Sequence, residues 1–108
     1  MDTIETKAFH LILHGGNARS CSMEAIDCAK RGEFTEAEAK LQEALEELKE
    51  AHRVQTDLIQ KEAGGEKTEV TLLMVHAQDH LMNAIIIKNL VVELLHVYEY
   101  VDKTNHHD

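Results

Sequence analysis

Residues 72–98 read LLMVHAQDHLMNAIIIKNLVVELLHVY, and this stretch decides the fold. Its apolar residues fall on more than one side of a predicted helix, whereas a helix in a monomeric bundle needs a single apolar stripe. The chain has only 108 residues, so it has little other surface with which to cover such a helix. We therefore expect a helix from about residue 68 to about residue 102 that packs against other copies of the chain.

A first amphipathic helix is predicted from about residue 3 to about residue 31. Thr3 is a suitable N-cap, and Gly32 follows the basic end of the helix. Gly15 and Gly16 lie in its middle, where each glycine disfavours a helix by about 1 kcal/mol relative to alanine. Because the apolar stripe keeps its phase across the two glycines, we expect the helix to be continuous.

A second amphipathic helix is predicted from about residue 36 to about residue 63. It starts on a capping box in which Thr35 caps the helix and Glu38 reaches back, and it ends before Gly64. Short connections between three long helices predict an all-α, antiparallel up-down-up bundle. We expect one domain that covers residues 1–108, with helix 3 at the contact with other copies of the chain.

The composition limits the kinds of partner and the compartment. A formal net charge of −9 argues against nucleic acid, because phosphate contacts need clustered Lys and Arg, and it favours a protein with a basic face. Cys21 and Cys28 are seven residues apart on one helix, roughly 10 Å along its axis, which is too far for a disulfide. Free thiols, a first segment without the basic residues of a signal peptide, and apolar runs shorter than a membrane span indicate a cytoplasmic protein.

Four polar residues interrupt the apolar helix at positions that share one face: His76, Asp79, His80 and Asn83. Polar groups on a buried face are unfavourable unless they are hydrogen-bonded, so they form either a structural seam or a functional site. A neutral histidine is a nucleophile near pH 7, and phosphoryl transfer requires mainly positioning and charge stabilisation. Gln78 and His80 could bond phosphate oxygens or orient the His76 ring.

Metal binding is the alternative chemistry for these residues. His76 and His80 have the spacing of a helical metal pair, but no Glu lies between them and a third ligand is missing. Three copies of Asp79 that converge on an axis would repel one another unless a cation such as Mg²⁺ bridges them. Glu93 and His96 match half of a di-metal carboxylate motif, which needs two such pairs.

Three blocks of the sequence resemble the lactose/cellobiose-type IIA component of the phosphoenolpyruvate-dependent sugar phosphotransferase system. They are GNARS with the following EAI (residues 16–26), AHRVQTDLIQ with the following EAG (residues 51–64), and VHAQDHLM (residues 75–82). The third block is the most specific. The blocks occur in the expected order and span most of the chain.

The resemblance implies a phosphotransferase component that works as a homotrimer of three-helix protomers. His76 would take a phosphoryl group from the histidine-containing phosphocarrier protein and pass it to a cysteine of the IIB component, which phosphorylates a sugar entering through the membrane component IIC. Gln78 and His80 would lie near the phosphorylated ring. Asp79 would meet its symmetry mates around a metal ion, with Mg²⁺ expected. Lactose, cellobiose and chitobiose-type disaccharides all remain open as the sugar.

Three further expectations concern residues outside this segment. His52 and Gln55 are predicted to face the bundle interior and to form a hydrogen-bond network. The opposite face of the second helix, which includes Glu47, reads as a solvated charged surface. His106 and His107 belong to a polar tail with at most a weak affinity for metal.

Overall fold

The computed structural model describes residues 3–105 and contains three α-helices. They are α1 (Ile4–Lys30), α2 (Phe34–Ala63) and α3 (Leu72–Asn105), with no strand in the described part of the chain. The helices form an elongated up-down-up bundle with dimensions of 63 × 20 × 20 Å. α1 packs along both other helices, whereas α2 and α3 contact each other much less. The predicted all-α three-helix fold is confirmed. His106 and His107, for which a weak affinity for metal is expected at most, lie outside the described residues.

The core consists of two apolar clusters stacked along the bundle. Leu11 and Leu81 are fully buried in the first cluster, and Val91 and Leu95 are almost fully buried in the second. Much of the remaining core is alanine, and small side chains allow the helix axes to approach closely. The closest approach relevant to the candidate site is at Gly15, where an added Cβ would lie 3.5 Å from the backbone of His80.

The predicted ends of α1 are confirmed. The Thr3 hydroxyl accepts a hydrogen bond from the Thr6 amide at 3.1 Å, and the helix continues unbroken through the two glycines in its middle. It ends at Lys30 with Arg31 as the C-cap, and Gly32 follows with a φ of +75°. The Gly32 amide donates to Ala29 O and the Glu33 amide to Cys28 O, which is a Schellman motif.

The predicted start of α2 is wrong. The helix begins at Phe34, and Glu33 at the N-cap makes no side-chain capping bond, so Thr35 lies inside the helix and forms no capping box. The Schellman turn that ends α1 leaves the Glu33 carbonyl free to accept from the Ala37 amide at 3.0 Å. Phe34 also packs against the second core cluster. Tertiary packing and the preceding turn therefore override the local capping signal.

The predicted bounds of α3 are shifted at both ends. The helix begins at Leu72 rather than near residue 68, because the Thr71 side chain caps it by accepting from the Met74 amide at 3.1 Å. It continues beyond residue 102 to Asn105, and the Thr104 hydroxyl donates to Tyr100 O in its last turn. His76 consequently lies in the second turn of the helix.

One side of α3 is apolar and exposed in the single chain. By length and composition this helix could cross a membrane, and only 22% of its most apolar window is buried. This differs from the expectation that the apolar runs of the chain are too short for a membrane span. The other side of α3 packs against α1, however, and Asp79 lies within the exposed side. We call this side the outer face of α3; its apolar members are Leu72, Val75, Met82, Ile86, Leu90, Leu94, Val97, Tyr100 and Val101.

Candidate functional site

The polar residues of the second and third turns of α3 are positioned by two buried neighbours. Ala77 and Leu81 are both fully inaccessible to solvent and fix this part of the helix in the first core cluster. Because they are four residues apart, they define the inward face of the helix. His76, Asp79 and Asn83 are consequently exposed, and the segment presents a rigid polar surface.

His76 and His80 lie next to each other, as their spacing predicts. Their ring centroids are 4.5 Å apart and the rings meet edge to face at 79°. His76 is exposed and His80 is half-buried, with Gly15 of α1 directly behind the His80 backbone. Among residues 3–105 the His76 ring makes no hydrogen bond, so a ring nitrogen is available to a group arriving from outside the chain.

Gln78 lies on a different side of α3. Residues two apart in a helix are separated by roughly 200°, so the Gln78 side chain cannot reach the His76 ring of its own chain. Its carbonyl oxygen accepts a hydrogen bond from Gln55 Nε2 at 2.8 Å, and its own Nε2 lies 4.0 Å from Met74 Sδ. The structure therefore does not bring His76 and Gln78 together within one chain.

Gln78 lines a groove on this side of the bundle, with a volume of about 310 Å³. The groove lies between the end of α2, residues 68–70 of the connection, and the start of α3. Met74 forms part of its wall and is buried, whereas Val75 is exposed beside it. Its lining is Leu58, Ile59, Glu62, Thr68, Val70, Met74, Val75 and Gln78.

The prediction that the polar face is buried is wrong for the single chain. Asp79 and Asn83 are exposed, and Asp79 lies within the outer face of α3. One carboxylate cannot hold a cation alone, and no group of three His, Cys, Asp or Glu side chains suited to a metal occurs among the described residues. Glu93 and His96, the half motif of a di-metal site, are an exposed pair with Glu93 Oε2 and His96 Nδ1 3.9 Å apart.

A polar cluster that joins α1 to α2 was not predicted from the sequence. His14 Nδ1 lies 3.0 Å from Glu47 Oε2, and Asn17 Nδ2 donates to Glu47 Oε1 at 2.8 Å. The hydrogen bond from His14 is the main reason that the pKa of Glu47 is lowered, and Asn17 adds to this against the opposing effect of burial. Glu47 is thus not part of a freely solvated face.

The prediction that His52 and Gln55 face the bundle interior is confirmed for Gln55 and wrong for His52. Gln55 is half-buried and bonded to Gln78, but His52 is exposed and does not face the interior. The buried positions of this part of α2 are Ala51, Val54 and Leu58, and His52 falls one step outside that stripe. No sequence signal distinguishes the two positions, because both are polar neighbours of an apolar stripe.

Neither cysteine is well placed to compete as the nucleophile, since Cys28 is buried and Cys21 is half-buried. Both are free, as predicted. Burial raises the pKa of the Cys21 thiol, and the hydrogen bond to Glu43 raises it further. A thiol with a raised pKa is protonated at neutral pH and is a poor nucleophile. His76 is therefore the better placed reactive group.

Comparison with known proteins places these features in a family context. Residues 6–99 match the family described as "PTS system, Lactose/Cellobiose specific IIA subunit". The chain is 59% identical over 100 residues to the lichenan-specific phosphotransferase enzyme IIA component of Bacillus subtilis, covering 93% of this chain and 91% of the relative. It is 41% identical over 98 residues to the N,N'-diacetylchitobiose-specific EIIA component of Escherichia coli, covering 91% and 84%.

Solved structures agree with the sequence relatives. The cellobiose-specific enzyme IIA from Bacillus anthracis superimposes with a TM-score of 0.88 at 50% identity, covering 94% of each chain. The chitobiose IIA protein of the Escherichia coli phosphotransferase system, solved in complex with HPr, superimposes with a TM-score of 0.82 at 38% identity, covering 94% of this chain and 99% of that one.

Proposed function

The chain belongs to the lactose/cellobiose-specific IIA family of the sugar phosphotransferase system, and we propose that it is a cytoplasmic phosphocarrier with His76 as the phosphorylated residue. One observation carries the proposal: His76 is exposed on a rigid turn of α3, its ring nitrogens have no hydrogen-bond partner in residues 3–105, and its ring is held edge to face by His80 at 4.5 Å. An accessible and oriented neutral imidazole is what phosphoryl transfer between proteins requires.

The reaction consists of two substitutions at phosphorus. In the first, the lone pair of a neutral His76 ring nitrogen attacks the phosphoryl group of a donor phosphohistidine; the P–N bond to the donor breaks as the new P–N bond forms. In the second, a cysteine thiolate of the IIB component attacks, a P–S bond forms, and His76 leaves as neutral imidazole because its other nitrogen keeps its proton. His80 orients the ring and contributes a polar group beside the transferred phosphoryl.

The outer face of α3 supports a homotrimer. A long stripe of exposed apolar side chains, with Ile86 54% exposed near its middle, favours contact between copies of the chain. His76 and Gln78 lie on opposite flanks of this stripe, with Asp79 and Ile86 between them. In a cyclic trimer each contact is head-to-tail, so the His76 flank of one chain faces the Gln78 flank of the next. Gln78 then reaches the phosphoryl group from the neighbouring chain.

In the same arrangement, three copies of Asp79 would form a cation site on the trimer axis. Its carboxylate is exposed, lies in the middle of the outer face and has no hydrogen bond among residues 3–105. Three copies around an axis supply six oxygens, and a hard cation with retained waters, Mg²⁺ in particular, suits such a donor set. The cation neutralises carboxylates that would otherwise repel one another and has no part in the transfer itself.

The proposed donor is the histidine-containing phosphocarrier protein, HPr. A relative of the same fold was solved in complex with HPr. The net charge of −9 also favours rapid encounter with a partner that presents a basic face. The acceptor is the IIB component, which acts with the membrane component IIC on the sugar. Relatives of this chain are specific for lichenan, cellobiose and N,N'-diacetylchitobiose, so a β-linked oligosaccharide is the class of sugar we propose.

Phosphorylation in vitro tests this function. The chain is incubated with phosphoenolpyruvate and the general phosphotransferase proteins, and the product is read by intact mass and by mapping of acid-labile phosphohistidine. We expect one phosphoryl group on His76 and none in the His76→Ala variant. His96→Ala is the matched control, because His96 is an exposed histidine of the same helix that has no histidine four residues away.

The opposite result is equally clear. If the donor proteins label a known IIA protein but not this chain, the relay is wrong and the polar segment is a structural seam between helices. Labelling that survives His76→Ala and is lost in another histidine variant would reassign the phosphorylated residue.

A further inference from the structure

Gln55 makes the hydrogen bond from α2 to the site segment of α3. Its Nε2 donates to the carbonyl oxygen of Gln78 at 2.8 Å, across 23 positions of sequence. Both side chains are half-buried, so this bond is shielded from competition by bulk water. α2 and α3 otherwise contact each other little, which makes this bond a specific link between them.

The bond determines which end of the Gln78 amide is available for other interactions. An amide has a carbonyl acceptor and an NH₂ donor, and Gln55 occupies the acceptor. The Gln78 Nε2 is left on the groove side, where its neighbour is Met74 Sδ at 4.0 Å, a weak acceptor. The N–H groups of Gln78 therefore face only a weak acceptor and can donate instead to a stronger one that arrives at this flank of α3.

We propose that Gln55 is a positioning residue for phosphoryl transfer, because it fixes Gln78 with its NH₂ group directed away from Gln55 and outward into the groove. This inference rests on the proposed function, in which the Gln78 flank of one chain faces His76 of the next. Phosphoryl oxygens accept hydrogen bonds and donate none, so an outward NH₂ group stabilises the transferred group, whereas an outward carbonyl oxygen repels it. Gln55 sets this choice without touching the phosphoryl group.

The substitution Gln55→Glu inverts the arrangement at nearly constant shape. A carboxylate only accepts, so it draws the Gln78 NH₂ group inward and turns the carbonyl oxygen outward. We expect the single-turnover rate of His76 phosphorylation at saturating phosphorylated HPr to fall by about tenfold or more, given the larger losses seen when a donor to developing charge is removed outright. The half-saturating HPr concentration and the melting temperature remain close to those of the unmodified chain.

Gln60→Glu is the matched control for charge. Gln60 is exposed on α2 five residues further along, outside the Gln55–Gln78 bond, so it adds the same charge near the groove without acting on the amide. We expect less than about a twofold change in rate for this variant, within the small effects of exposed substitutions. Equal slowing by the two Glu variants would show that charge alone is responsible and would overturn the proposal.

A double-mutant cycle separates positioning from a general structural role. If Gln55 acts through Gln78, Gln55→Ala slows transfer in the unmodified chain but has no further effect when Gln78→Ala is already present. Independent, additive effects would refute the proposal. Failure of the proposed function gives a different result, since the unmodified chain would then carry no phosphoryl group on His76 in the same assay.

Discussion

The α1–α2 seam and the outer face of α3 differ in whether their side chains have partners within the chain. Along the seam, polar groups of one helix meet polar groups of the other: Lys7 pairs with Asp57 at 3.3 Å, His14 with Glu47 at 3.0 Å, and Lys40 with Glu24 at 3.4 Å. On the outer face of α3, apolar side chains from Leu72 to Val101 are exposed. The seam is complete within one chain.

The difference indicates where the chain keeps its capacity to bind other proteins. A helix pair whose polar groups are matched gains little from a further partner, whereas an exposed apolar stripe gains by being covered. The candidate site lies at the edge of that stripe. We infer that assembly and phosphoryl transfer use the same helix, and that the seam serves only the stability of the protomer.

The largest effect is expected from a charge in the middle of the outer face. Ile86→Lys should convert a trimer into single chains, because burying three unpaired ammonium groups at the contact is unfavourable by several kcal/mol. Sedimentation equilibrium measures the mass directly. Gln42→Lys, which places the same charge on exposed α2, should leave the mass unchanged. An unmodified chain that sediments as one copy would refute the role given to the outer face.

A smaller and opposite effect is expected at Asp79. Asp79→Leu removes the carboxylates that would converge on the axis, so the trimer should lose its metal and gain about 1–4 kcal/mol of stability, as when buried charges are replaced by apolar groups. Elemental analysis gives the metal content and thermal unfolding the stability. Asn83→Leu, one turn along the helix, should retain one metal per three chains. Absence of stoichiometric metal from the unmodified protein would contradict the axial site.

Glu47 in the α1–α2 seam should give a pH-dependent effect of about 1.5–3 kcal/mol on the free energy of unfolding, the range for hydrogen bonds to a charged group. Because His14 and Asn17 lower the pKa of Glu47 in the folded chain, their contribution is complete above the ordinary Glu pKa of about 4.3 and is lost as the pH falls below it. Glu47→Gln should therefore reduce the free energy of unfolding in urea at pH 7 and have little effect at low pH, at one fixed protein concentration. If the free energy of unfolding of Glu47→Gln differs from that of the unmodified chain by the same amount at every pH, this mechanism is excluded.

The smallest effect is expected for the exposed pairs along α2. Lys49 and Glu46 are 3.5 Å apart with side chains 63% and 60% exposed, so Lys49→Ala should change the free energy of unfolding by less than about 0.5 kcal/mol. The same urea titration measures it and serves as the baseline for the Glu47 variant. A change above about 1 kcal/mol would mean that exposed pairs matter as much as the seam does.

Local signals predicted the helices and part of the site, whereas contacts between helices did not follow from the sequence. Thr3 and the glycines that end α1 and α2 act through their immediate neighbours, so their roles could be predicted. The spacing of His76 and His80 fixes their common face in any helix. The predicted start of α2 was wrong because the preceding turn and the packing of Phe34 determine where the helix begins. The His14–Glu47 pair was missed because its members are 33 positions apart.

The His52 prediction failed for a related reason. A polar residue beside an apolar stripe can point inward or outward, and a rotation of the helix by a small angle decides between the two. The structure turns Gln55 toward α3 and His52 toward solvent. The side of α3 on which Gln78 lies follows from its spacing of two residues from His76. Its hydrogen bond with Gln55 could not be predicted in this way, because spacing on α3 alone does not include α2.

The packing of α1 along both other helices has a consequence for how the protomer opens. α2 and α3 contact each other little, so neither can retain its position once α1 separates. Amide hydrogens in the middle of α1, around the close approach at Gly15, should therefore exchange with deuterium only through opening of the whole bundle, while residues 67–71 exchange first. Loosening of the connection would then leave the His76 segment of α3 anchored to α1.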